Sequence, residues 1–164
     1  MAGSSDFETA LRATDGVELR VWLRLLTCAN LIERRVRQNL RDRFDITLPR
    51  FDLLAQLDRE PEGLALGEIS RRLMVSNGNV TGLIERLVAE GLIDRRSAPG
   101  DRRIQIVRLT RAGKAAFDAM TPVHREWITS VMSGLDRHEL ATLLDLLGRL
   151  KNSAGRAAGE ENAT

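Results

Sequence analysis

Between Gly67 and Leu109 the chain reads GEISRRLMVSNGNVTGLIERLVAEGLIDRRSAPGDRRIQIVRL, and this stretch restricts the possible folds more than any other. It opens with a short segment of helical spacing from Gly67 to about Met74, in which Ile69 and Leu73 point inward and Arg71 and Arg72 outward. Ser76 follows, a residue whose hydroxyl can accept from an orphan amide in the first turn of a helix. Beyond it, Val80, Leu83, Ile84, Leu87 and Val88 form the core side of a second helix, leaving Asn77, Asn79, Thr81 and Arg86 for its outer side. Gly91 stands where helix termination calls for a left-handed residue. Leu92 to Arg96 and Arg103 to Leu109 have strand character, with Ile104 and Ile106 alternating with Arg103 and Gln105, and Pro99 and Gly100 supply turn chemistry between them.

Helix, turn, helix and two-stranded β-hairpin, in that order, describe a winged helix-turn-helix. The flanking sequence is helical. Asp15 and Glu18 form a capping-box signal before a helix over about 16–44, along which Leu19, Trp22, Leu26, Ala29, Ile32, Val36 and Leu40 recur at three- and four-residue spacings. Thr47 opens a second helix that tolerates Pro49 in its first turn and buries Phe51, Leu54 and Leu57. Pro61, Glu62 and Gly63 end that pattern. Thr110 caps a fifth helix that reaches about Met132, with Pro122 expected to kink or interrupt it. Asp136 and Glu139 start a last helix with a stripe of Leu140, Leu143, Leu144, Leu147 and Leu150. The expected fold class is mainly α, about six helices plus the hairpin wing. Residues 1–14 are expected to be a flexible tail, 15–151 a single domain, and 152–164 a disordered tail.

Charge singles out the same central stretch. From Ser70 to Lys114 there are ten arginine or lysine side chains against four acidic ones, an excess of six, whereas the rest of the chain has a deficit of four. A basic block within a nearly neutral chain is the footprint of a polyanion-binding surface. Single-residue motifs point away from other functions. No GxSxG, HExxH, CxxC or phosphate-cradling glycine loop occurs, so no catalytic residues and no enzyme are expected. His124 and His138 lie on different helices and make no zinc ligand set, and Cys28 is the only cysteine, expected to be a small buried hydrophobe; no metal or cofactor is expected. No apolar run approaches a membrane span and no signal peptide is evident, which places the chain in the cytoplasm with no membrane partner.

The stretches LPRFDLLAQL, GEISRRLMVSNGNVTGLIERLVAEGLIDRR and GDRRIQIVRLTRAGKAAF resemble the MarR family of bacterial transcription regulators across roughly residues 17–150. The resemblance implies a homodimer formed by helices over about 16–44 and 111–151, with a DNA-binding lobe over about 47–110 facing one half of a pseudo-palindromic operator in double-stranded DNA. Packing within one subunit is the other use the leucine stripes could have. A helix fits the major groove, so the segment starting at Ser76 is the expected reader, with Asn77, Asn79 and Thr81 in its first turns and Arg86 placed for phosphate. The wing would carry Arg102 and Arg103 towards the minor groove, with Asp101 holding an arginine or stabilising the turn.

Many members of that family release DNA on binding small aromatic acids or their thioesters. The text WLRLLTCANLIERR resembles a branch that responds to hydroxycinnamoyl-type coenzyme A thioesters. Trp22, Asn30, Arg50, Phe51, His124 and Trp127 are the expected lining of an effector cleft, because an aromatic wall with a buried arginine suits an aromatic carboxylate. The implied function is a ligand-responsive regulator, a repressor released by a small aromatic acid or its CoA thioester. The alternative is a DNA-binding regulator or architectural factor with no small-molecule effector.

Overall fold

A computed structural model of the chain describes residues 7, 11–12, 14–98 and 100–161, without the side chains of Asn77, Arg102 and residues 158–161. The described residues form six helices and three strands: α1 (Val17–Phe44), α2 (Leu48–Asp58), β1 (Leu64–Ala65), α3 (Leu66–Leu73), α4 (Asn77–Ala89), β2 (Ile93–Ala98), β3 (Asp101–Leu109), α5 (Arg111–Val131) and α6 (Arg137–Glu161). The chain divides into two compact units, Met1–Ile128 and Thr129–Thr164.

The first unit holds one hydrophobic core. Leu40 from α1, Leu53, Leu54 and Leu57 from α2, Ile69 from α3, Ile84 and Leu87 from α4, and Val107 from β3 are at most 1% exposed. Removing each such side chain from water contributes about 1.5–3 kcal/mol. The strands form an antiparallel sheet in the order β1-β3-β2, with Ile93 facing Leu109 and Ala65 facing Ile106. The third strand, β1, has no signal of its own in the sequence beyond two residues. It is admitted by Gly63, at φ 90°, where a Cβ would lie 2.6 Å from the Val107 carbonyl oxygen.

Several termini differ from expectation. Gly16, not Asp15, precedes α1, and no side chain caps that helix; the Asp15 carboxylate accepts instead from the Arg12 amide at 2.7 Å. Pro122 does not interrupt α5, which runs unbroken to Val131. The proline lies on an exposed face, where the carbonyl it deprives of a donor can be hydrated. The hairpin strands run closer to the tip than expected, with an irregularity between Ser97 and Ala98.

In the second unit, the expected capping box is formed: Asp136 Oδ1 accepts from the Glu139 amide at 2.9 Å, and the Asp136 amide donates to Glu139 Oε2 at 2.8 Å. Residues 152–161, expected to lack structure, continue α6. Alanines at 154, 157 and 158 favour helix even where nothing is buried. The expected flexible tail over 1–14 lies mostly outside the described residues.

Candidate nucleic-acid interface and adjoining clefts

Ser76 stands immediately before α4 in extended conformation, and its hydroxyl accepts from the Asn79 amide at 3.4 Å. Val80, Ile84 and Leu87 seat this helix on the core, which leaves Asn79 and Arg86 exposed and Thr81 half-buried. The preceding turn is held by Met74 at φ 54°, with the Ser70 hydroxyl donating to the Val75 carbonyl at 2.6 Å. At the end of α4, Gly91 adopts φ 71° and turns the chain into the hairpin.

Thr110 staples the base of that hairpin. Its hydroxyl donates to the Gly91 carbonyl at 2.7 Å and accepts from the Gly113 amide at 3.0 Å, while its own amide donates to the Leu92 carbonyl at 3.1 Å. One residue therefore fixes the corner after α4 and caps α5. At the tip, Asp101 Oδ1 accepts from the backbone amide of Arg103 at 2.9 Å. The carboxylate thus takes the turn-stabilising role, and the guanidinium of Arg103 is left exposed. Asn77 and Arg102 occupy their expected places on α4 and β3, and their side chains lie outside the described residues.

Ion pairs thin the basic excess considerably. Arg71 and Arg72 share Glu68, Arg72 also reaches Glu60, Arg96 and Arg108 share Asp94, and Lys114 meets Asp58 and Asp118. These hydrogen bonds hold the Glu68 carboxyl below its ordinary range and raise Arg72 and Lys114. Among the described residues, Arg86 on α4 and Arg95 and Arg103 on the wing enter no ion pair and are exposed. Within the basic stretch, unpaired positive charge therefore remains on the second helix and the hairpin, and on Arg111 at the start of α5.

The expected effector residues divide into two groups. Phe51 stacks on His124 with ring centroids 4.6 Å apart and tilts against Phe117 at 5.5 Å; His124 meets Trp127 edge-on at 6.4 Å, and Trp127 lies 6.1 Å from Phe44. Burial lowers the pKa of His124 and so favours the neutral ring. Arg50, next to Phe51, pairs with Glu90 and lines a cleft of 390 Å³ with Phe44, Ile46, Leu92, Ala116 and Met120. Trp22 and Asn30 do not join them. Asn30 is about four turns, and Trp22 about six turns, N-terminal to Phe44 on a helix of about 3.6 residues per turn. Trp22 is 54% exposed, and the Asn30 amide is spent on the Leu26 carbonyl at 2.9 Å.

A second cleft, of 480 Å³, separates α1 from α4 and is lined by Glu33, Arg37, Asp52, Asn79, Leu83 and Arg86. Burial, followed by the charge of Glu33, raises the pKa of Asp52. Sequence reasoning missed Glu90, Phe44 and Phe117. Glu90 lies forty residues from Arg50, and no local pattern signals such a pair. Cys28 is exposed on α1, not buried as expected. The leucine stripe of α6 is also exposed, Leu144 to 74%.

A capped helix seated on a core, a preceding helix and turn, and a hairpin stapled to the helix's end define a winged helix-turn-helix protein. The model of the MarR family matches residues 44–104. Transcriptional activatory protein BadR of Rhodopseudomonas palustris is 30% identical over 152 residues, covering 88% of this chain and 86% of BadR. A MarR mutant from E. coli complexed with operator DNA is similar with TM-score 0.71 at 25% identity, over 82% of this chain and 94% of that one. BpsR of Bordetella bronchiseptica, solved to explain regulation of its DNA binding by 6-hydroxynicotinic acid, is similar with TM-score 0.72 at 25% identity, over 80% and 98% of the two chains. The chain belongs to the MarR family and is a transcriptional regulator, not an enzyme. Among the described residues, no helix is long and apolar enough to cross a membrane.

Proposed function

We propose that this regulator works in the cytoplasm as a homodimer that binds a pseudo-palindromic operator and is released from it by a small aromatic acid or its CoA thioester, acting as a repressor. The observation that carries the DNA reading is the exposure, without ion pairs, of Arg86 on α4 and Arg95 and Arg103 on the wing that follows this helix, whose N-terminus Ser76 caps. In this reading α4 enters the major groove, where Asn77, Asn79 and Thr81 reach base edges or phosphate. Arg86 takes phosphate, and Arg102 and Arg103 follow the wing to the minor groove. The lobe over 47–110 does this work, and the exposed apolar residues of α1 and α6 supply the dimer contact: Val17, Val21, Trp22 and Leu144 are each more than half exposed in the single chain. A two-fold dimer sets its two α4 helices one DNA turn apart, so a ligand that alters their spacing costs contacts at both half-sites.

The effector reading rests on Arg50 beside an aromatic group formed by Phe51, His124 and Trp127, with an adjoining cleft. BpsR, with its aromatic acid, gives the reading a precedent in a related fold. One observation favours the second reading, a regulator without an effector: Phe51 is only 5% exposed, its ring already covered by the chain's own side chains. A gel shift on the DNA upstream of the chain's own coding sequence, with aromatic acids and their CoA esters added, decides between them. Retarded DNA that the additions release supports the sensor; retarded DNA that none of them releases supports the second reading, and no retardation removes both.

A further inference from the structure

We infer that Arg50 is the carboxylate anchor of the 390 Å³ cleft and that Glu90 is its built-in competitor, so that a small aromatic acid binds by displacing Glu90. This rests on the ligand-responsive reading above and narrows the ligand to the free acid, excluding the thioester.

The argument begins with the guanidinium. The Arg50 side chain is 16% exposed, and its Nη2 donates to Glu90 Oε2. Its Nε is buried and has no partner. Nε–H and Nη2–H lie parallel on one edge of the fork, the edge that a carboxylate matches with both oxygens. Glu90 satisfies half of that edge with one oxygen. A ligand carboxylate that took both donors would satisfy a buried group that now goes without, and a buried unpaired donor is costly.

Glu90 is a leaving partner by the same logic. Its side chain is 44% exposed, so its carboxylate returns to water at little desolvation cost, and Arg50 stays paired throughout the exchange. The cleft suits the rest of such a ligand. Phe44, Ile46, Leu92 and Met120 give it apolar walls, and Ala116 and Ala119 on α5 leave room where longer side chains would fill it. Its volume is near the lower end of the roughly 300–1,000 Å³ usual for small-molecule sites. A single-ring acid fits that space; a CoA thioester has converted the carboxylate into an acyl–sulfur bond and offers Arg50 no anion at the ring.

The displaced residue has a position of consequence. Glu90 follows the last residue of α4, and its amide donates to the Arg86 carbonyl at 3.0 Å. Its ion pair therefore ties the end of α4 to the first turn of α2, and a ligand that breaks the tie changes the restraint on α4 directly.

The test uses the full chain with benzoate, 4-hydroxybenzoate and 6-hydroxynicotinate, their amides, and 4-hydroxybenzoyl-CoA. Calorimetry reads binding to the DNA-free protein, and anisotropy of labelled upstream DNA reads release. At least one acid binds while its amide and the thioester do not. Glu90→Gln binds that acid about ten-fold more tightly, and Arg50→Lys, checked by circular dichroism for an intact fold, about ten-fold more weakly, the scale of one charge-assisted hydrogen bond. Equal acid affinity in Glu90→Gln and wild type, or thioester binding as strong as that of the acid, overturns the Arg50–Glu90 exchange while release by either compound leaves the sensor reading standing. Upstream DNA that stays bound in the presence of every compound overturns both.

Discussion

Gly113 packs against the carbonyl of Leu92 so closely that a Cβ in its place would lie 1.8 Å from that oxygen. The contact joins the first turn of α5 to the corner between α4 and the wing. It involves backbone on one side, so no side-chain rotation can relieve a clash. Gly113→Ala should destabilise the protein by about 3 kcal/mol, the upper range for overpacking. Gly82, in the interior of α4, has nothing within 4 Å of its Cβ position, and Gly82→Ala should stabilise by about 1 kcal/mol through helix propensity. Urea denaturation of both variants checks the pair, and equal effects at the two sites would remove the packing argument.

Arg103 and Arg108 lie on the same strand but differ in electrostatic state. Arg108 Nε donates to Asp94 at 3.0 Å, whereas the Arg103 guanidinium is exposed and makes no ion pair. Arg103→Ala should weaken operator binding and reduce the slope of log affinity against log salt by about 1, because a phosphate contact releases about one counterion. Arg108→Ala should leave the slope closer to that of wild type. Titrations by anisotropy across a salt series read both.

His124 gives folding a pH dependence of definite sign. Burial against Phe51 lowers its pKa, so the folded state favours the neutral ring relative to the unfolded chain. The stability this provides is complete above the ordinary value of 6.5 and is lost as pH falls from there through the folded-state value. His124→Phe keeps an aromatic ring in the stack and cannot titrate. Its stability should vary less than that of wild type between pH 7 and pH 5, as measured by denaturant midpoints across that range.

Leu144 on α6 is 74% exposed, among leucines that face solvent in the isolated chain. If a second copy covers this face, Leu144→Glu puts a charge into an apolar contact and should weaken the dimer by about 2 kcal/mol or more. Sedimentation should then find monomer at concentrations where wild type is dimeric, with operator affinity falling in parallel. A dimer of unchanged strength would move the interface elsewhere.

The order of elements was legible because its signals are local. Ser76 and Gly91 bracket α4, Asp136 and Glu139 cap α6, and the alternation around Ile104 marks the wing, each within a few residues. What the sequence did not disclose depends on distant partners. Five of the ten basic side chains in the central stretch pair with carboxylates such as Asp94, Glu68 and Asp58, and only the three-dimensional pairing separates Arg103 from Arg108. Phe51 and His124, named from residue type, meet within the chain, whereas Trp22 lies apart from them there, because aromatic character carries no information about distance along a helix. The helical C-terminus was missed because small residues that bury nothing look alike in a helix and in a tail.

The base of the hairpin turns its tip into a lever arm. The strands are held at the root by the Leu92–Thr110 hydrogen bond and the Ile93–Leu109 pair, and β3 is clamped further along by β1 opposite Ile106 and Val107. Beyond that clamp, Asp101 to Gln105 extend about 17 Å at the usual rise per residue. A tilt of about 5° there swings the Asp101–Arg103 tip by about 1.5 Å, enough to stretch a hydrogen bond beyond its working range. Small rotations at the root of the wing are magnified at its tip.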